Sequence, residues 1–201
     1  MRYGSAMHRH APAKLASRIA AGYVLLALVA AGIAVVLREG VPWVHPRPWL
    51  ALSPVRSICY SAVLGLSLAT AVVISTRATV TRFDWARRLH EELRPVARDM
   101  SMVTILVLAG SSSLGEELLF RGVLGPVLGI PLSSVLFGFL HQVRGPARWI
   151  WVAWATIVGS SLSIIFALTG SLVGPLLAHA VVNAVNLHYL REHEPGQPSH
   201  A

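Results

Sequence analysis

Between Arg18 and Arg38 the chain carries no charged side chain, only IAAGYVLLALVAAGIAVVL. A bilayer core ~30 Å thick is crossed by about 20 helical residues, and in hydrocarbon the backbone must satisfy its own hydrogen bonds. A run of this length and composition therefore favours a transmembrane helix. Similar runs recur and predict spans near Ile19–Leu37, Ile58–Ser75, Met102–Gly122, Pro131–Val143, Trp149–Thr169 and Leu172–Leu190. The fourth is short, and Gly125, Pro126, Gly129 and Pro131 blur where it begins. Composition agrees: 54% of the 201 residues are hydrophobic and 13% charged, against about 25% charged in a soluble domain. Mean hydropathy is +0.60. The expected fold class is all-α, a polytopic transmembrane helical bundle of about six spans.

A net charge of +8 would suit nucleic acid on a soluble domain. Here the basic residues flank apolar runs, where they set topology and meet lipid headgroups, so no nucleic-acid partner is expected. Arg2, Arg9, Lys14 and Arg18 precede the first run as in a signal peptide, but the run is too long and no small-residue cleavage site follows it. A single cysteine, Cys59, excludes an intrachain disulfide and reads as a small packing residue. With six spans and the N-terminus inside, the inner segments hold Arg2, Arg9, Lys14, Arg18, Arg77, Arg82, Arg87, Arg88, Arg94, Arg98, Arg144, Arg148 and Arg191. The outer ones hold Arg38, Arg47 and Arg56. That asymmetry puts both termini in the cytoplasm; the expected setting is an integral protein of a bacterial plasma membrane. Trp43, Trp49, Trp149, Trp151 and Trp154 stand where aromatic belts belong. VTRFDWARRLHEELRPVARD sets Trp85, Leu89, Leu93 and Val96 at helical spacing opposite several arginines, an amphipathic helix on the inner surface. The chain divides into N-terminal spans with this helix (1–99), a helical core (100–190) and a disordered tail (191–201).

Chemistry concentrates in SSSLGEELLFRGVLG, where Glu116 and Glu117 are the acidic residues that fall inside a predicted span. An ionised residue at a span's centre costs about 2.5–3.5 kcal/mol, so it needs a partner or a water-lined cavity. Arg121 lies one turn beyond Glu117 and can pair with it. Glu116 points about 100° around the helix, without a local partner. His141 ends the fourth span in FGFLHQ, one turn after Phe137. His179 and Asn183, one turn apart in HAVVN, share a face that Asn186 continues. Helical rise puts Glu116, His141 and His179 at comparable depth, so they can converge. A carboxylate with a histidine can hold and deprotonate a water. A second histidine and an amide can donate to an oxyanion, a contribution of about 10²–10³ in rate.

Other chemistries fit less well. The metalloprotease signature HExxH is absent, since His90-Glu91 runs on to Arg94. The aspartates, Asp84 and Asp99, lie in a loop, which removes an aspartyl dyad. Ser111–Ser113, Ser160, Ser161 and Ser163 come without a GxSG, and small residues suit helix interfaces. Zinc on Glu116, His141 and His179 stays open, because three such ligands and a water make a catalytic zinc site. Proton-coupled transport would bring inverted repeats, and the sequence has none. Singly, each histidine or asparagine could be a helix-packing group and the Glu–Arg pair purely structural.

EELLFR at 116–121 resembles the EExxxR motif of the CPBP family, the CAAX-protease and bacteriocin-processing intramembrane endopeptidases. FGFLH at 137–141 is similar to that family's FxxxH motif and HAVVN at 179–183 to its HxxxN motif. The likeness covers roughly residues 100–190, with the motifs in order on separate spans. It implies a hydrolase with Glu116 as general base, His141 helping to activate the water, and His179 with Asn183 as oxyanion hole. Glu117 and Arg121 would be a structural pair. No cofactor is implied, and zinc is not favoured. The substrate implied is a membrane-associated or lipidated protein or peptide, whether prenylated protein, leader peptide or membrane-anchored protein. Some members look like non-catalytic immunity or interaction factors.

Overall fold

The structure, a computed structural model, describes residues 10–38, 40–143 and 145–194. Of the residues weighed above, Arg2, Arg9, Arg144 and 195–201 lie outside that set. Helices follow the apolar runs: α1 (His10–Arg38), α2 (Pro54–Arg82), α3 (Asp84–Ala97), α4 (Met102–Glu117), α5 (Gly125–Leu128), α6 (Ile130–Leu140), α7 (Arg148–Thr169) and α8 (Val173–Glu192). A π-helical turn, Leu118–Leu124, joins α4 to α5, and the Gly125 N–H closes on the Phe120 carbonyl.

Local chemistry sets the boundaries. Pro54 opens α2, where its missing N–H costs nothing. The Ser101 hydroxyl caps α4 by accepting the Thr104 N–H at 3.1 Å. Gly170 ends α7 in the left-handed region (φ +81°), its N–H bonded to the Phe166 carbonyl.

Leu15–Arg38, Pro54–Arg82, Met102–Leu128 and Arg148–Thr169 are long and apolar enough to cross a membrane. Two expected spans do not meet that measure. α6 has 11 residues, about 16 Å at the helical rise and half a hydrocarbon core. α8 has 20 residues, but its polar residues lower its apolarity, and it runs inside the bundle against α2 and α4. The N-terminal end of the tail also differs. Arg191 and Glu192 complete α8, the His90 ring bonds the His193 carbonyl at 2.9 Å, and Arg94 pairs with Glu194 at 3.4 Å. α3 likewise packs on α2 and α8. It buries Leu89 but leaves Val96 exposed.

The ends of the bundle sort as an up-and-down topology requires. The α1–α2 loop pairs with the α7–α8 turn through Val44 and Ser171, with His45 N–H on the Gly170 carbonyl at 2.9 Å and Trp49 N–H on Ala167 at 2.7 Å. α3 meets the far end of α8.

Between these ends the helices touch through small residues. α2 presents Ser61, Gly65 and Ala69, buried, to Gly174 and Ala178 of α8. A Cβ on Gly174 would come within 2.0 Å of the Ser61 carbonyl, and one on Gly65 within 2.2 Å of the Gly174 carbonyl. Packing without side chains is how helices associate where lipid removes the hydrophobic drive. Large apolar residues such as Leu28, Val36, Val63, Ile74 and Val103 face outward.

Gly174→Ala is expected to lower stability in detergent by about 1–3 kcal/mol through overpacking. Gly110→Ala, where a Cβ meets nothing within 4 Å, should be neutral or slightly stabilising. Unfolding midpoints of the two variants test this.

Candidate active site

Adjacent residues on a helix point about 100° apart, and that rotation separates the two glutamates. Glu117 is fully buried. Its Oε1 accepts from Arg121 Nη1 at 3.0 Å and from His179 Nδ1 at 2.7 Å. Arg121, 1% exposed, spends Nη2 on the Gly159 carbonyl of α7 at 2.8 Å. Its guanidinium lies 4.5 Å from the centre of the Phe137 ring. The expected Glu117–Arg121 pair is thus present, and it reaches α6, α7 and α8. Glu117 Oε2 and Arg121 Nε remain buried without a hydrogen-bond partner.

Glu116 faces a cavity of about 440 Å³ that His141, His179 and Asn183 also line. Its Oε2 stands 3.5 Å from His141 Nε2 and 3.8 Å from His179 Nε2. Both distances exceed a direct hydrogen bond, and Oε2 is a buried oxygen with no such partner. The remote nitrogens explain how the rings are held. His141 Nδ1 donates to the Phe137 carbonyl at 2.8 Å, and His179 Nδ1 to Glu117. The carbonyl and the ion-paired carboxylate only accept, so each Nδ1 carries a proton and each ring turns its Nε2 toward Glu116. Asn183 Nδ2 gives one N–H to Ser112 Oγ at 3.2 Å, leaving its second N–H available.

Glu116, His141 and His179 offer ligand atoms that all lie within 4.8 Å of one another. Three hydrogen-bonding atoms around one space suit a bound water. They fit zinc as well, since metal-binding histidines are held at the remote nitrogen in this way.

Sequence reasoning found these residues but not all their neighbours. The His179–Glu117 bond went unseen. Phe137 packs against His141 at 4.3 Å, His179 at 5.9 Å and Phe120 at 5.1 Å between ring centres, so it wedges the site. Trp151 and Trp154, assigned to a membrane belt, line the cavity instead. Asn186 accepts from Arg77 Nη1 at 3.1 Å. Tyr23 of α1 lines the cavity too. Its signal in the sequence is a phenol inside a run otherwise free of hydrogen-bonding side chains. A second cavity of about 380 Å³, walled by α2, α3, α7 and α8, shares Leu93, Trp151, Trp154, Asn186 and Leu190 with the first.

Comparison with known proteins points to the same segment. Residues 98–185 match the family model described as type II CAAX prenyl endopeptidase Rce1-like. Over 124 residues the chain is 28% identical to a Bacillus subtilis (strain 168) protein called uncharacterized protein YpbD. That match covers 60% of this chain and 64% of the relative, so the chain spans less than two thirds of it. No solved structure matches.

Removing one partner of a buried ion pair strands the other, at about 3–5 kcal/mol. Arg121→Met should therefore lower stability by about that much, and Arg121→Met with Glu117→Leu should recover part of it. Chemical unfolding in detergent is the measurement; a stable Arg121→Met protein would contradict the pairing.

Proposed function

We propose, from the match of residues 98–185 to the type II CAAX prenyl endopeptidase Rce1-like family model, that the chain is an intramembrane glutamate-type endopeptidase of the CPBP family. The observation that carries the reading is the buried, unpartnered Oε2 of Glu116 facing two imidazole nitrogens across a cavity. A water held between Glu116 and His141 donates a proton to the carboxylate as its oxygen attacks the scissile carbonyl carbon. The tetrahedral oxyanion takes hydrogen bonds from the second Asn183 N–H and from His179. His179 donates through Nε2, its ring carrying both protons throughout, while Glu117 orients it at Nδ1 as a triad carboxylate does. Glu116 then returns its proton to the departing amine, and the peptide C–N bond breaks.

The substrate is a membrane-associated or lipidated protein or peptide. The adjoining apolar cavity suits its hydrophobic part, with entry from the end of the bundle where α3 lies. The setting is a bacterial plasma membrane with both termini cytoplasmic. A second reading makes the same hydrolysis zinc-dependent, because Glu116, His141 and His179 are grouped as ligands. Zinc would supply Lewis acidity there.

Purified protein reconstituted with a library of membrane-anchored peptides should cleave with and without chelator. Glu116→Ala should lose at least about 10² in rate. Cleavage that persists in Glu116→Ala overturns the mechanism. Loss on chelation, restored by zinc, replaces the metal-free reading with the zinc one.

A further inference from the structure

α1 lies outside the matched segment 98–185, yet it runs along α4 and the π-helical turn. The face it buries is almost entirely alanine: Ala16, Ala20, Ala27, Ala30 and Ala34. Small side chains let the two backbones approach closely. They come close beside the catalytic carboxylate. A Cβ on Gly115, the residue before Glu116, would stand 2.7 Å from the Tyr23 carbonyl oxygen and 3.3 Å from its ring. Tyr23 is the bulky residue at this approach, in a helix that elsewhere meets its neighbour with alanine. Packing alone gives no reason for a phenol there.

Its hydroxyl has a partner within reach. Tyr23 lines the same cavity as Glu116, and its ring packs on Gly115, next to that glutamate, close enough for the carboxylate to act on the phenol through space. The carboxylate has need of a donor. Its Oε2 has no hydrogen-bond partner, and the two histidine Nε2 atoms stand off at 3.5 and 3.8 Å. Ser112, also on the cavity wall, directs its hydroxyl to the Ala109 carbonyl. A phenol O–H aimed at a carboxylate makes a charge-assisted hydrogen bond, roughly twice as strong as a neutral one.

We propose that Tyr23 is a positioning residue for the hydrolysis: its hydroxyl fixes the Glu116 carboxylate so that Oε2 stays turned toward the water site. Resting on the endopeptidase reading above, this extends the working site beyond the matched segment to the first helix of the chain. Tyr23 touches neither the water nor the scissile bond in this role and acts through Glu116.

The test is Tyr23→Phe, which keeps the ring and its packing and deletes the hydroxyl. With a peptide substrate of the parent protein, kcat should fall about tenfold to hundredfold, the scale of a misplaced catalytic group. KM should stay within about twofold, and the unfolding midpoint should match the parent's. An unchanged kcat overturns the proposal. So does a kcat loss that comes with an equal loss of stability, which would make Tyr23 a packing residue. In either case Glu116-dependent cleavage by the parent leaves the endopeptidase reading standing. If the parent shows no Glu116-dependent cleavage, both fall.

Discussion

The site depends on one buried charge cluster. Glu117 and Arg121 sit at 0% and 1% exposure, where stripping both ions of water costs several kcal/mol before their attraction returns any of it. The remaining hydrogen-bond capacity of the pair, Glu117 Oε2 and Arg121 Nε, is left unfilled. A pair retained for stability alone would be better replaced by apolar side chains. What it does instead is hold geometry. Through Gly159 it fixes α7, through His179 it fixes α8, and the guanidinium lies against Phe137 of α6. With Glu117 turned inward, its neighbour Glu116 must turn toward the cavity.

Close helix contact makes that arrangement possible in a medium that gives helices little reason to associate. Gly65 against Gly174 and Gly115 against Tyr23 bring backbones together where any larger side chain would hold them apart. The chain switches to a π-helical turn immediately after Glu117. Such turns are frequent at functional sites, and this one carries Arg121 between its partner carboxylate and α7. The α1–α2 loop, hydrogen-bonded to the α7–α8 turn, closes the bundle at the opposite end from α3.

Much of this was legible in the sequence because it is local. Apolar runs mark helices, and a glutamate four residues before an arginine marks a pair on one helix face. The rotation between Glu116 and Glu117 follows from helix geometry alone. Beyond the shared depth of Glu116, His141 and His179, contacts between distant segments were not legible. Nothing near His179 announces that its Nδ1 will meet Glu117 rather than solvent. The periodicity of α1 cannot say that Tyr23 will face Glu116. α8 was read as a full span and α6 as a short one with a blurred start, because polar residues, proline and glycine were set against apolar length. Their actual form comes from packing inside the bundle, where α8 can carry histidine and asparagine because it meets protein.

The division of labour between the two glutamates is the centre of the account. It is tested most directly by comparing Glu116→Gln and Glu117→Gln for peptide turnover and unfolding midpoint in one preparation. Glu116→Gln should lose turnover by at least about 10² while unfolding like the parent. Glu117→Gln should unfold at a clearly lower midpoint. Full turnover in Glu116→Gln, or equal loss of stability in both variants, would contradict it.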